Sequence, residues 1–125
     1  MADIRRIATT SRASRVVIYN GMVFVGGQTA EDRGQGIQGQ TRQVLSKVDA
    51  LLSEAGTDKR RLLSAQIWLK DIVRDFAGMN DVWDAWAAPG AAPARATSQC
   101  LMASSEILVE VIVTAAVAEA ETIPL

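Results

Sequence analysis

A chain of 125 residues with 49% hydrophobic and 22% charged side chains has the size and balance of one compact domain, residues 1–125, burying a single core. The formal net charge of −1 supplies no basic face for nucleic acid, and no run of about 18 uninterrupted apolar residues suggests a membrane span. No histidine occurs in the chain, which excludes serine-histidine and cysteine-histidine catalysis within one copy and the usual zinc sites of His and Cys.

The opening MADIRRIATTSRAS lacks the continuous apolar stretch of a signal peptide, so the protein is expected in the cytosol. Arg5, Arg6, Arg12 and Arg15 are interleaved with apolar residues there and read as a solvated or interface-lining edge. Residues 3 to 7 (DIRRI) predict a short edge strand, and VVIY at 16 to 19 a second. Asn20-Gly21 separates VVIY from MVFVGG, and Asn-Gly between two β-branched runs predicts a tight hairpin because both turn positions tolerate positive φ. The loop Gly34-Gln35-Gly36-Ile37-Gln38-Gly39 matches the glycine spacing of dinucleotide-binding folds, but it does not directly follow the first strand of a parallel sheet. It reads as a loop leading into a helix.

From Ile37 the positions Thr41, Val44, Val48, Leu51, Leu52 and Ala55 recur at steps of three and four, the period of an amphipathic helix that Gly56 stops. LSAQIWL at 63 to 69 predicts a largely buried strand. Asp75 is the expected cap of a second helix carrying Phe76, Met79, Val82, Trp83 and Trp86 on one side and ended by Pro89-Gly90. A strand from Ala94 to about Met102, a loop through Ser104-Ser105 and a strong strand from Ile107 complete the chain, with Cys100 expected as a small core residue and the tail AEAETIPL expected to be loose. The element order β-β-β-α-β-α-β-β implies an α+β fold in which two helices cover one face of a sheet.

Glu110 stands inside LVEVIV, where a bare carboxylate is costly to bury and calls for a partner. If the last two strands form a hairpin turning near Met102 and Ala103, Arg95 lies opposite Glu110. Arg95, Thr97 and Gln99 then share a face with Leu108, Glu110 and Ile112, while the smaller, more apolar alternate positions receive the helices. A face mixing Arg, Thr, Gln, Glu and aliphatics suits a subunit interface with a polar pocket. On pattern alone such a cross-strand ion pair reads as structural before it reads as catalytic.

Pro93-Ala94-Arg95 followed by Val109-Glu110-Val111 resembles the C-terminal signature of the Rid (reactive intermediate deaminase, YjgF) family, in which P-x-R precedes V-E-[IV] by this interval. WLKDIVRDFAGMNDVWDAW at 68 to 86 and MVFVGGQ at 22 to 28 resemble further family segments, and the likeness runs from about Val16 to Val117, nearest the YoaB-like branch. The resemblance implies a chorismate-mutase-like fold, a homotrimer with sheets facing inward and clefts between subunits, and no cofactor or metal. It implies hydrolysis of enamines or imines of the aminoacrylate type to a keto acid and ammonia. It makes Arg95 the grip on a substrate carboxylate, Glu110 the residue beside the attacking water, Gly27 a backbone wall of the pocket, and Asn80 a residue near the start of the second helix. Ala13 stands where many members have tyrosine, Thr97 where cysteine follows the arginine, and Gly26 where serine is common. Thr97 is retained as a substrate-binding position. The departures keep two other readings open: a trimeric protein that binds a small carboxylated imine or keto acid without turning it over, and a deaminase dedicated to one catabolic route.

Overall fold

The computed structural model describes residues 3–118. Six strands and two helices follow in the expected order: β1 (Arg5–Thr9), β2 (Ser14–Tyr19), β3 (Met22–Gln28), α1 (Ile37–Glu54), β4 (Leu62–Leu69), α2 (Ile72–Trp86), β5 (Ala94–Gln99) and β6 (Val109–Ala116). The expectation of a loose tail falls, from residue 119 onward, outside the described residues.

Local sequence decides the first half of the sheet. Asn20 and Gly21 take φ of 52° and 79°, the positive values of the predicted hairpin turn, and β2 and β3 pair antiparallel with Tyr19 opposite Met22. Alternation then sets the faces. Val16, Ile18, Val23 and Val25 are buried beneath the helices, while Tyr19 and Phe24 point to the other side and remain 46% and 44% exposed. α1 begins at Ile37 straight out of the glycine-rich loop, as expected, and buries Thr41, Val44, Leu45, Val48, Leu51 and Leu52. Gly56 follows its cap at φ 81°, a conformation that glycine adopts without a Cβ penalty.

The sheet runs β1-β2-β3-β6-β4-β5, and here the second half departs from the expected hairpin. β5 pairs parallel with β4, and β6 pairs antiparallel with β4 on its other edge, so β4 separates the two strands expected to be neighbours. The reason is a crossover: α2 connects β4 to β5, and a strand-helix-strand unit returns its second strand parallel to the first. β6, with Val109, Val111, Val113 and Ala115 all at most 1% exposed, takes the central place where a strand is best covered.

This topology corrects the faces of β5. Val109, Val111 and Val113 do face the helices as expected, but Arg95 pairs with Ala65 and Thr97 with Ile67, both buried helix-side residues. Arg95 and Thr97 therefore lie on the helix side, and Ala94, Ala96 and Ser98 on the other. Glu110 pairs with Trp68, and with Phe24, Gln66, Ile112 and Thr114 occupies the face that no helix covers.

Smaller corrections concern α2 and its surroundings. Asp71, not Asp75, caps the helix, its carboxylate accepting from Arg74 N at 3.1 Å. Asp75 instead faces inward at 4% exposure and pairs bidentately with Arg74, while Phe76 points outward. Cys100 is half-buried just beyond β5 and no part of the core. Among the described residues no helix is long and apolar enough to cross a membrane.

Candidate active site in two halves

The expected site residues gather into two groups. In the first, Arg95 projects from β5 toward α2. One guanidinium nitrogen donates to Asn80 Oδ1 at 2.8 Å, and its central carbon lies 5.3 Å from the ring centroid of Trp83, within reach of a cation-π attraction. Asn80 and Trp83 share this face of α2 because they are three residues apart. Asn80 thus sits in the second half of the helix, not near its start. Among the described residues Arg95 meets no carboxylate. It is a cation braced by two neutral groups, with donors to spare for an anion. Thr97, two residues along the same face, has a buried hydroxyl with no hydrogen-bond partner, the only such side-chain atom among the described residues.

The second group is built by an irregularity. β3 slips register against β6 between Val25 and Gln28, where Gly26 and Gly27 form a bulge that brings bare backbone toward β6. The Glu110 side chain fills the space a side chain at Gly27 would need: a Cβ there would sit 3.0 Å from Glu110 Cδ and directly on Oε2. Burial pushes the Glu110 carboxyl above its ordinary value, and nothing offsets it, because among the described residues the carboxylate meets neither a cation nor a hydrogen-bond donor. The expected cross-strand ion pair of Arg95 with Glu110 is not formed among the described residues. Gly27 also borders an open depression of about 330 Å³, shared with Ala13, Ser14, Arg15, Gln28 and Lys47.

Two contributors carry little signature in the sequence. Trp83 beneath Arg95 reads simply as a core aromatic. Gln40, fully buried on α1, donates to the carbonyls of Arg33, Gln35 and Glu106 and accepts from Leu108 N at 3.0 Å. It fixes the entry of β6 and hence the position of Glu110. An amide at a core-facing helix position is the only hint of such a role, since a buried polar group needs partners.

The chain matches the family described as Endoribonuclease L-PSP over residues 3–117. It is 41% identical over 114 residues to a RutC family protein of Haemophilus ducreyi, covering 91% of this chain and 97% of that one. The RutC family protein YoaB of Escherichia coli is 39% identical over 114 residues, with 91% and 98% covered. The chain belongs to the Rid/YjgF family. A family member from Neisseria meningitidis has the same fold, with a TM-score of 0.91 at 43% identity over 94% of this chain and 98% of that one. The two helices on a six-stranded mixed sheet are accordingly the chorismate-mutase-like fold of the Rid/YjgF family, with YoaB-like proteins among the near relatives.

Proposed function

We propose that this chain hydrolyses carboxylated imines and enamines to keto acid and ammonia, without a cofactor, in clefts between the copies of a homotrimer. The observation that carries this reading is that Arg95 and Glu110 stand on opposite faces of the sheet, each prepared but incomplete. Among the described residues Arg95 has neutral braces and no counter-ion, and Glu110 is partly desolvated and has no partner. Groups so placed meet only when the uncovered sheet face of one copy packs against the β5 and α2 edge of another. The half-exposed Phe24 and Tyr19 on that face are the surface such packing would bury.

In that cleft Arg95, helped by the Thr97 hydroxyl, holds the substrate carboxylate by parallel charge-assisted hydrogen bonds. The protonated imine carbon is already electrophilic, so catalysis needs one positioned water and a base. Glu110 takes a proton from that water as its oxygen bonds to the imine carbon, and the C=N π pair moves to nitrogen. Glu110 returns that proton to nitrogen, and as the C–N bond breaks and ammonia leaves, it takes the remaining hydroxyl proton so that the carbonyl forms. A carboxylate raised by burial is a better base near neutral pH than an exposed one.

The test is release of ammonia and keto acid from freshly generated imines of several amino acids, with RNA degradation measured on the same preparation because of the family's description. Acceleration over spontaneous decay is expected. Tight keto-acid binding with unchanged decay would leave a ligand-binding protein instead, the outcome that Ala13 and Thr97 would then explain.

A further inference from the structure

The depression beside Gly27 is more than a wall of the hydrolytic site. Ala13, Gly26 and Gly27 line it with almost no side-chain bulk, while Arg15 and Lys47 bring two cations to it. Arg15 has no ion-pair partner among the described residues. Lys47 Nζ donates to the Thr29 carbonyl at 2.8 Å and to Glu31 Oε1 at 2.6 Å. Glu31 is 77% exposed, on the loop after β3, so this ion pair is screened by water and free to open.

Glu31 also reports what this place favours. Its carboxyl is held below the ordinary value, first by the Lys47 hydrogen bond and charge, with Arg15 and Arg33 adding to the attraction. Three cations thus act on one exposed carboxylate, and two of them, Arg15 and Lys47, line the depression.

We propose that this depression receives a second, distal carboxylate of the substrate, so that the preferred imines are those of dicarboxylic amino acids, with Arg15 and Lys47 as the residues that set this specificity. The proposal rests on the reading of Arg95 and Glu110 as the two halves of one hydrolytic site. Arg95 of the neighbouring copy holds the carboxylate next to the imine carbon, Glu110 serves that carbon, and the substrate side chain runs past Gly27 into the space left by Ala13. A larger side chain at position 13 would close that path.

The experiment measures binding of α-ketoglutarate and of α-ketovalerate, a keto acid of the same chain length without the distal carboxylate, together with hydrolysis of the imines generated from glutamate and norvaline. About a tenfold preference for the dicarboxylate in both measurements is expected, shrinking as salt is added. Arg15→Gln is expected to bring the ratio toward one, and Glu31→Gln, which frees Lys47, to raise it. If norvaline imine is hydrolysed and α-ketovalerate binds as well as α-ketoglutarate, the second carboxylate site is refuted while the hydrolytic reading stands. If neither imine is hydrolysed and neither keto acid binds, the hydrolytic reading fails and this proposal with it.

Discussion

The carboxylate of Glu110 lies in the space that a side chain at Gly27 would occupy, so a glycine on one strand determines where the acid on the next can rest. The colliding atoms are the far end of a flexible side chain, and Gly27 does not need positive φ. Gly27→Ala is therefore expected to fold, because Glu110 can swing aside. Hydrolysis is expected to fall on the order of tenfold or more through misplacement of the base, with the melting temperature nearly unchanged. Full activity in a folded Gly27→Ala variant would dissociate the Glu110 position from turnover.

Glu110→Gln separates catalysis from structure. A carboxyl raised by burial favours the folded chain below its unfolded value, and that contribution is lost as pH rises through the raised folded value. The ionised form is thus a burden on the fold, and removing its charge is expected to leave thermal stability equal or higher. Imine hydrolysis should drop roughly a hundredfold, the contribution of a positioned general base, with keto-acid binding retained. Normal turnover in a destabilised variant would sink the catalytic assignment.

Arg95→Lys keeps the charge but loses the planar fork and the contact over Trp83. Carboxylate binding is expected to weaken about ten- to hundredfold, the worth of a charge-assisted hydrogen bond. Titration with a keto acid, alongside thermal melting, checks this. Unchanged affinity would place carboxylate recognition elsewhere.

Asn80 offers a graded test, because its Oδ1 accepts from Arg95 at 2.8 Å. Asn80→Ala removes a brace, whereas Asn80→Asp sets a competing carboxylate against the guanidinium. Keto-acid affinity is expected to fall in the order Asn, Ala, Asp. An Asp variant that binds as tightly as the parent would show that Arg95 uses other donors.

Assembly supplies the remaining test. Light scattering is expected to give about three times the 13.4 kDa chain mass. Arg95→Ala and Glu110→Gln chains, each inactive alone, should regain about a quarter of the sites when refolded together in equal amounts, since random trimers unite an intact Arg95 with an intact Glu110 at that frequency. No recovery in confirmed mixed trimers would mean that both residues act from the same copy.

Much of this was legible in the residues themselves. Asn20-Gly21, the helical period from Ile37 to Ala55 and the alternation of Val109, Val111 and Val113 are short-range patterns. Sterics and the burial of one face decide each of them within a few residues. Arg95 and Glu110 stood out for the same reason, a charge among apolar neighbours being conspicuous wherever the strand lies.

Strand pairing was decided elsewhere. Reading β5 and β6 as a hairpin placed Arg95 opposite Glu110, yet the crossover through α2 sets β5 beside β4 and turns Arg95 to the helix side, over Trp83 and against Asn80. Period-two alternation says which residues share a face along one strand. It cannot say which face of the sheet that is, because exchanging one partner strand for another inverts the whole set. The residue types and their spacing therefore singled out the candidate residues, while only the tertiary structure divided them between two faces, since non-local pairing depends on how every strand competes for the covered centre of the sheet.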